Sequence, residues 1–143
     1  SKMENQSSNS QNTWNPLNSN MDISKKFSIE AARSLPNLAK NHPCRNIHGH
    51  SFKVKIVVRG RVNKNTGFVM DFSEIDEAFK PLLDQLDHKY LNDVPGLENP
   101  SSENMCQWIW SKLKPKLPSL HKIVIKETES TSCSYKGDED GSS

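Results

Sequence analysis

Two histidines separated by one residue, His48 and His50, have the clearest chemical potential in this sequence of 143 residues. If they lie on a β-strand, both imidazoles project from the same face, roughly 6–7 Å apart at Cα. That arrangement can supply two ligands to one metal ion, and neutral imidazole suits zinc. Two histidines at the end of a sheet can also bind no metal at all, so the prediction of a metal site needs support from other residues.

Two further groups offer acid–base or nucleophilic chemistry. Cys44 lies four residues before His48 in a predicted loop, where a thiol close to a metal or a positive charge can act as a base or nucleophile. Asp87 directly precedes His88, and a carboxylate that orients an imidazole is a general acid–base device. The alternatives are a small buried hydrophobic residue for Cys44 and an ordinary turn for Asp87 and His88.

An acidic residue, Glu127, falls within an apolar segment that we predict to be a strand. By alternation it shares a face with Ile123 and Ile125. This placement slightly favours a buried anchor for a ring with an amidine-like edge. The alternative is an exposed acid that keeps an edge strand soluble.

Alternating hydrophobicity predicts the two long strands that position these groups. Residues 23–33 alternate with period two, and the parity places position 33, an arginine, on the inward face. Residues 48–58 alternate more regularly, so both histidines continue the buried stripe of that strand. Residues 63–67 have the composition of a turn, and residues 68–70 are predicted to resume a strand and complete a hairpin.

A helix and a long loop follow the predicted hairpin. Ser73 to Asp76 resembles a capping box at the start of a helix, and apolar residues then recur at helical spacing as far as Leu86. Pro81 is predicted to kink this helix or to mark a local break. Residues 87–100 contain two prolines and a glycine and are predicted to form a loop, whose length is typical of a functional segment.

The remainder of the chain completes an α+β pattern. Ser101 or Ser102 caps a second helix, which is predicted to stop at Pro115. Two strands are predicted after it, at residues 121–129 and 132–136. The expected fold is therefore an antiparallel sheet with two helices on one face.

Composition separates the folding unit from its ends. Residues 1–20 hold six Asn and five Ser but few large apolar residues, so they cannot offset the entropy cost of ordering. We expect a disordered extension over residues 1–21, a single domain over residues 22–137 and a disordered acidic tail over residues 138–143. A domain of this size has a limited core, and oligomerisation is a reasonable expectation.

Charge and cysteine usage restrict the partners and the compartment. The net charge is +2 with both signs interspersed, which shows neither a nucleic-acid footprint nor a basic membrane patch. No apolar run reaches the length of a transmembrane helix, and the amino-terminal segment lacks the apolar centre of a signal peptide. Three cysteines without framework spacing indicate free thiols in a reducing compartment. We therefore expect a cytoplasmic protein that binds neither nucleic acid nor membranes.

Taken together, the motifs resemble those of the 6-pyruvoyltetrahydropterin synthase superfamily. The resemblance spans residues 24–137 and is carried by four ordered segments, at 44–50, 86–93, 98–103 and 126–128. Within the superfamily, residues 94–100 and 133–137 are most similar to the bacterial branch. That branch is 6-carboxy-5,6,7,8-tetrahydropterin synthase of queuosine biosynthesis.

The resemblance implies a fold and a reaction. The fold is the tunnelling fold (T-fold), in which antiparallel sheets close into a barrel on oligomerisation, usually as a dimer of trimers with active sites between subunits. The reaction converts 7,8-dihydroneopterin triphosphate into 6-carboxy-5,6,7,8-tetrahydropterin, with release of acetaldehyde and triphosphate. The chain would accordingly be a lyase with a pterin substrate.

The resemblance also implies roles for individual residues. His48 and His50 would bind Zn²⁺, which would hold the side-chain hydroxyls of the substrate and acidify the adjacent C–H bond. Cys44 matches the proton-abstracting base. The other matches are Asp87 and His88 with the acid–base relay, Glu127 with the carboxylate that anchors the 2-amino/N3 edge of the pterin, and Ser101 and Ser102 with nearby pterin contacts.

One position departs from this pattern. The third zinc histidine of the family falls at position 33, which is Arg33 here, and a guanidinium cannot ligate zinc. Zinc can recruit Cys44 or His42 instead, it can bind weakly through two histidines and substrate oxygens, or Arg33 can replace the charge of the metal and pair with an anionic ligand. Two alternative functions stay open: a 6-pyruvoyltetrahydropterin synthase, and a non-catalytic pterin or purine binder that has lost its metal.

Overall fold

The computed structural model describes residues 19–137. These residues form four strands and two α-helices, in the order β1 (Asn20–Arg33), β2 (His48–Arg61), α1 (Phe72–Leu86), α2 (Ser102–Leu113), β3 (Leu120–Lys126) and β4 (Ser132–Tyr135). The strands pair in the sequential order β1-β2-β3-β4, and every pairing is antiparallel. The predicted α+β architecture is confirmed, with both helices packed on one face of the sheet. The disordered extension was expected over residues 1–21, but residues 20 and 21 already belong to β1. The rest of the expected disorder, over residues 1–18 and 138–143, lies outside the described residues.

The two long strands show the predicted alternation. Phe52, Val54 and Ile56 of β2 are fully buried, as is Ile29 of β1. Fourteen residue pairs join β1 to β2, and the last of them sets Arg33 opposite His48. Because alternate residues of a strand share a face, this register places position 33 and both histidines on the helix-covered side of the sheet. Arg33 is only 4% exposed, which confirms its predicted inward direction.

The predicted hairpin at residues 68–70 is wrong. The segment after the turn is not a strand, and it is joined to the turn by a hydrogen bond from the amide of Asn63 to the carbonyl of Phe68. The reason is that β2 already pairs with β1 on one side and with β3 on the other, so no edge of β2 is free at its centre. Val69 and Met70 instead pack against the hydrophobic core.

The helices differ from the predictions mainly at their ends. Helix α1 begins at Phe72, directly after Asp71. The side chain of Asp71 accepts a hydrogen bond from the amide of Ser73, so Asp71 and not Ser73 is the N-cap. The helix continues through Pro81 without a break. The N-cap of α2 is Ser101, one of the two predicted candidates, and its hydroxyl accepts a hydrogen bond from the amide of Asn104.

The strand that was predicted over residues 121–129 is shorter, because β3 ends at Lys126. Glu127 therefore lies directly after the strand. The loop between the helices contains one 3-10 turn, Leu91–Asp93, and is tied to the end of β1. Asn92 gives a hydrogen bond to the Ser34 carbonyl and accepts one from the Ser34 amide, both at 2.9 Å. This clamp fixes the segment after α1 against the end of β1.

The face of the sheet opposite the helices is basic. Four lysines, Lys26, Lys53, Lys55 and Lys126, surround a groove of about 670 Å³ on this face. The ammonium group of Lys53 contacts the hydroxyl of Ser28 at 2.8 Å. We refer to this surface as the open face.

Candidate functional site

A cleft of about 800 Å³ lies where β1 ends, β2 begins and the chain leaves α1. Its lining includes three of the residues predicted from the sequence, His50, His88 and Glu127. Tyr90 also lines it. The structure therefore brings together groups that are up to 77 residues apart in the chain.

The carboxylate of Glu127 is the centre of the polar contacts at this cleft. Its Oε1 atom accepts hydrogen bonds from Arg33 Nη2 and His50 Nε2, both at 2.9 Å, and its Oε2 atom accepts one from the Ser102 hydroxyl. Burial raises the pKa of this carboxyl, but the bond from Ser102, the charge of Arg33 and the bond from His50 together leave it below the usual range. Glu127 is thus an anion at neutral pH.

Arg33 is held on several sides. Besides the bond to Glu127, its Nη1 donates to the carbonyl of Pro100 at 3.0 Å, and its guanidinium carbon lies 5.0 Å from the centre of the Phe52 ring. The third donor, Nε–H, is buried without a hydrogen-bond partner among the described residues. These contacts hold the guanidinium in place, and its charge is permanent because a guanidinium in a protein does not lose its proton.

The hydrogen bonds define which nitrogen of each histidine carries a proton. A carboxylate and a carbonyl can only accept, so His50 donates through Nε2 to Glu127, and His48 donates through Nδ1 to the carbonyl of Asn46 at 2.8 Å. The two rings are 6.0 Å apart between centroids and lie nearly edge to face. His48, unlike His50, is not among the residues that line the cleft.

Asp87 and His88 form a pair at the rim. Asp87 Oδ1 accepts the amide of Glu30 at 2.9 Å, and its Oδ2 lies 3.0 Å from His88 Nδ1. The bond from the Glu30 amide is the main reason that the pKa of Asp87 lies below its usual range. Burial opposes this effect, and the contacts with His88 lower the pKa further. His88 has φ +60°, a left-handed conformation in which its amide bonds back to the Glu30 carbonyl.

Cys44 is not among the residues that line the cleft. It lies in a single 3-10 turn, Pro43–Arg45, and is half-buried. Its amide donates to His42 Nδ1 at 3.1 Å, and its carbonyl accepts the Leu35 amide at 2.9 Å. These contacts attach the turn to the end of β1.

The two serines predicted as ligand contacts have separate tasks. Ser101 uses its hydroxyl to cap α2, whereas Ser102 is buried and directs its hydroxyl to Glu127. The bond from Ser102 joins the start of α2 to the residue after β3, so it helps to fix the position of the carboxylate.

The residues at this site do not fit a metal centre with three protein ligands. Within residues 19–137, no three His, Cys, Asp or Glu side chains are grouped so that they could hold a metal ion. Arg33 presents only donors and a positive charge at the third position. The Nε2 atom of His50 is already engaged by Glu127. No step of a mechanism is therefore assigned to a metal.

Sequence reasoning did not identify three contributors. Phe52 stacks beneath Arg33, Pro100 supplies a carbonyl to it, and Tyr90 lines the cleft while its hydroxyl lies 3.1 Å from the Ser34 hydroxyl. Phe52 was visible as the next member of the stripe of His48 and His50, and Tyr90 follows His88 by two residues. A backbone carbonyl such as that of Pro100 leaves no signal in residue types.

Two thiols lie next to each other between α2 and β4. Cys106 of α2 and Cys133 of β4 have their sulfur atoms 3.4 Å apart. Cys133 and Glu127 line the same small cavity of about 150 Å³. Burial is the first cause that raises the pKa of both thiols.

Comparison with known proteins gives a consistent result. The sequence profile described as 6-pyruvoyl tetrahydropterin synthase matches residues 22–138. A protein of Synechocystis sp. named 6-carboxy-5,6,7,8-tetrahydropterin synthase is 41% identical over 119 residues, which cover 79% of this chain and 91% of the relative. A protein of Archaeoglobus fulgidus named putative 6-carboxy-5,6,7,8-tetrahydropterin synthase is 36% identical over 109 residues, covering 76% of this chain and 90% of the relative.

The fold has counterparts among solved structures. The structure of Caenorhabditis elegans 6-pyruvoyl tetrahydropterin synthase superposes with a TM-score of 0.77 at 26% identity. The superposition covers 84% of this chain and 97% of the worm protein. Within the part of the chain that the structure describes, no helix is long and apolar enough to cross a membrane.

Proposed function

Because the chain belongs to the 6-pyruvoyl tetrahydropterin synthase family, whose members are pterin-processing lyases, we propose that it converts 7,8-dihydroneopterin triphosphate into 6-carboxy-5,6,7,8-tetrahydropterin, acetaldehyde and triphosphate. The relative from Synechocystis, named for the carboxy product, supports this choice of product. The observation that carries the proposal is the ionised carboxylate of Glu127 in a cleft that His88 also lines.

Glu127 recognises the pterin in this proposal. A carboxylate can take two parallel N–H bonds from an amidine-like edge, such as the 2-amino group and N3–H of a pterin. It offers about four acceptor positions, and three donors already use three of them. Two new bonds therefore require one donor to leave. His50 is the donor that can, because its side chain is 26% exposed whereas that of Arg33 is 5% exposed.

The acid–base chemistry falls to the residues at the rim. Asp87 holds His88 through Nδ1, which leaves Nε2 of the imidazole to exchange a proton with substrate. We assign the proton-abstracting role to Cys44, whose turn is attached to the end of β1 beside the cleft. Cys44→Ala should abolish turnover while pterin binding is retained, as measured by product formation and by quenching of pterin fluorescence.

The second candidate is a pterin binder without catalysis. The bond between Arg33 and Glu127 favours it, since it places a fixed cation where the family resemblance predicts a zinc ligand. A third outcome, formation of 6-pyruvoyltetrahydropterin, corresponds to the name of the structurally similar protein of C. elegans.

The deciding experiment is incubation of the purified chain with 7,8-dihydroneopterin triphosphate, with and without added zinc, followed by the mass of the product. A carboxytetrahydropterin supports the proposal, and a pyruvoyltetrahydropterin replaces it with the third outcome. Unchanged substrate from folded protein that binds the pterin contradicts catalysis and favours the binder.

We also propose that the chain assembles as a homo-oligomer, a dimer of trimers in which sheets join into a barrel. The support is that β1 and β4 are the edge strands of the sheet and have one side without a partner strand among the described residues. Light scattering coupled to size exclusion measures the mass in solution, and a monomer at all concentrations would contradict the proposal.

A further inference from the structure

Three side-chain positions converge on one face of the sheet at the end of β1 and the start of β2. The strand register sets residue 33 opposite His48 and residue 31 opposite His50. Residue 33 is thus the direct cross-strand neighbour of one histidine and the diagonal neighbour of the other. Histidines at all three positions would present three imidazoles to one ion, and Arg33 removes one ligand and adds a positive charge.

The arginine does not leave this position free. Its guanidinium is bonded to Glu127 and to the carbonyl of Pro100, and it rests on the ring of Phe52. These contacts come from β2, from the loop before α2 and from the residue after β3. A side chain so enclosed, with 4% of the residue exposed, keeps its charge at the site and does not rotate into solvent to admit an ion.

The neighbouring histidine is drawn into the same arrangement. His50 Nε2 and Arg33 Nη2 donate to the same oxygen of Glu127. The anion is thereby neutralised by a cation from the chain itself. A divalent ion at His48 and His50 would meet two ligands instead of three, with a guanidinium beside it, and both facts oppose binding.

We infer that Arg33 is a positioning residue that takes the place of a metal ligand. Its permanent positive charge holds the carboxylate of Glu127 in position and keeps His48 and His50 from binding Zn²⁺. The site then binds its pterin without a transition metal. The choice of a pterin as ligand rests on the proposed function, whereas the absence of tight zinc binding does not.

Zinc binding to the full chain, measured by competition with a chromophoric chelator, tests the inference. The wild-type protein should lose its zinc to the chelator. Arg33→His should tighten zinc binding by on the order of 100-fold or more, because it supplies the third imidazole and removes the charge. Arg33→Gln removes the charge without adding a ligand and should stay well below Arg33→His. The matched control is Lys53→His, on an exposed lysine of β2 that contacts the hydroxyl of Ser28 and lies opposite Lys126, and it should leave zinc binding unchanged.

Stoichiometric zinc that the wild-type protein retains against the chelator would overturn the inference, and this outcome does not depend on the folding of any variant. Neopterin binding, followed by fluorescence in the presence of EDTA, separates this failure from that of the proposed function. Neopterin binding that persists in EDTA supports a site without metal. Binding that requires added zinc overturns the inference and leaves the proposed lyase intact. Weak zinc binding without any pterin binding leaves the inference about Arg33 standing and removes the proposed function.

Discussion

Replacing Glu127 with glutamine should destabilise the fold as well as weaken ligand binding. The substitution keeps the shape of the side chain but leaves the buried guanidinium of Arg33 without its counter-charge, and one donor of that group, Nε–H, is already unpaired. Removal of one partner from a fully buried ion pair costs about 3–5 kcal/mol. Glu127 is a quarter exposed, and we therefore expect a loss of about 2–3 kcal/mol in the free energy of unfolding.

Urea unfolding at neutral pH measures this loss. With a slope of about 1–3 kcal/mol per molar in urea, the midpoint should fall by about 1 M or more while the slope stays the same. Glu129→Gln is the matched control, since Glu129 is fully exposed and contacts Lys126 at 3.3 Å, and its midpoint should not move. The double variant Arg33→Gln/Glu127→Gln removes both charges and should be more stable than Glu127→Gln alone.

Two results would refute the reasoning. A midpoint for Glu127→Gln equal to that of the wild type would show that the pair contributes nothing. A double variant less stable than Glu127→Gln would show that the buried cation is not the source of the loss. Pterin affinity, measured by calorimetry on folded protein, should also fall by about 2–3 kcal/mol, because a charge-assisted contact is lost.

Three further predictions concern pH, the acid–base pair and the thiols. The folded pKa of Glu127 lies below its ordinary value of 4.5. The ionised side chain therefore stabilises the fold fully above pH 4.5, and this stabilisation is lost as the pH falls through the folded pKa. In acid titrations, the difference in free energy of unfolding between wild type and Glu127→Gln should shrink over that pH range. Asp87→Asn keeps an oxygen for the Glu30 amide but loses the anion beside His88, so turnover should fall by about 10²–10⁴-fold with an unchanged urea midpoint. A fall in the urea midpoint that accompanies the loss of turnover would indicate a structural role for Asp87. Diamide should join Cys106 and Cys133, with sulfur atoms 3.4 Å apart, in a disulfide that forms faster at higher pH because both thiols have raised pKa values. Two free thiols in peptide mass mapping would contradict this prediction.

The strands were predictable because period-two alternation encodes which side of a sheet is buried. That alternation correctly turned Arg33 inward and placed His48 and His50 on the stripe that leads to Phe52. It failed for residues 68–70, where three apolar residues after a turn resemble the return of a hairpin. Local pattern does not reveal that both sides of β2 are already taken, one of them by a strand that comes about sixty residues later.

The site was predictable as a set of residue types and only in part as a geometry. The inward direction of Arg33 follows from its own strand, but its partner Glu127 is 94 residues away and lies just past the end of β3. That partnership depends on the register of three strands and on the carbonyl of Pro100, which the loop between the helices presents. Neither periodicity nor residue type specifies such a contact.

The open face restricts how copies of this chain can approach one another. Four lysines, Lys26, Lys53, Lys55 and Lys126, and one acid, Glu129, line its groove. Two copies that stack these faces would therefore bring together more ammonium than carboxylate groups. Such stacking is opposed over roughly the Debye length, about 10 Å at 0.1 M salt, and becomes less unfavourable as ionic strength rises. Association is therefore directed to the edges of the sheet, and dissolved anions should collect wherever an assembly encloses this surface.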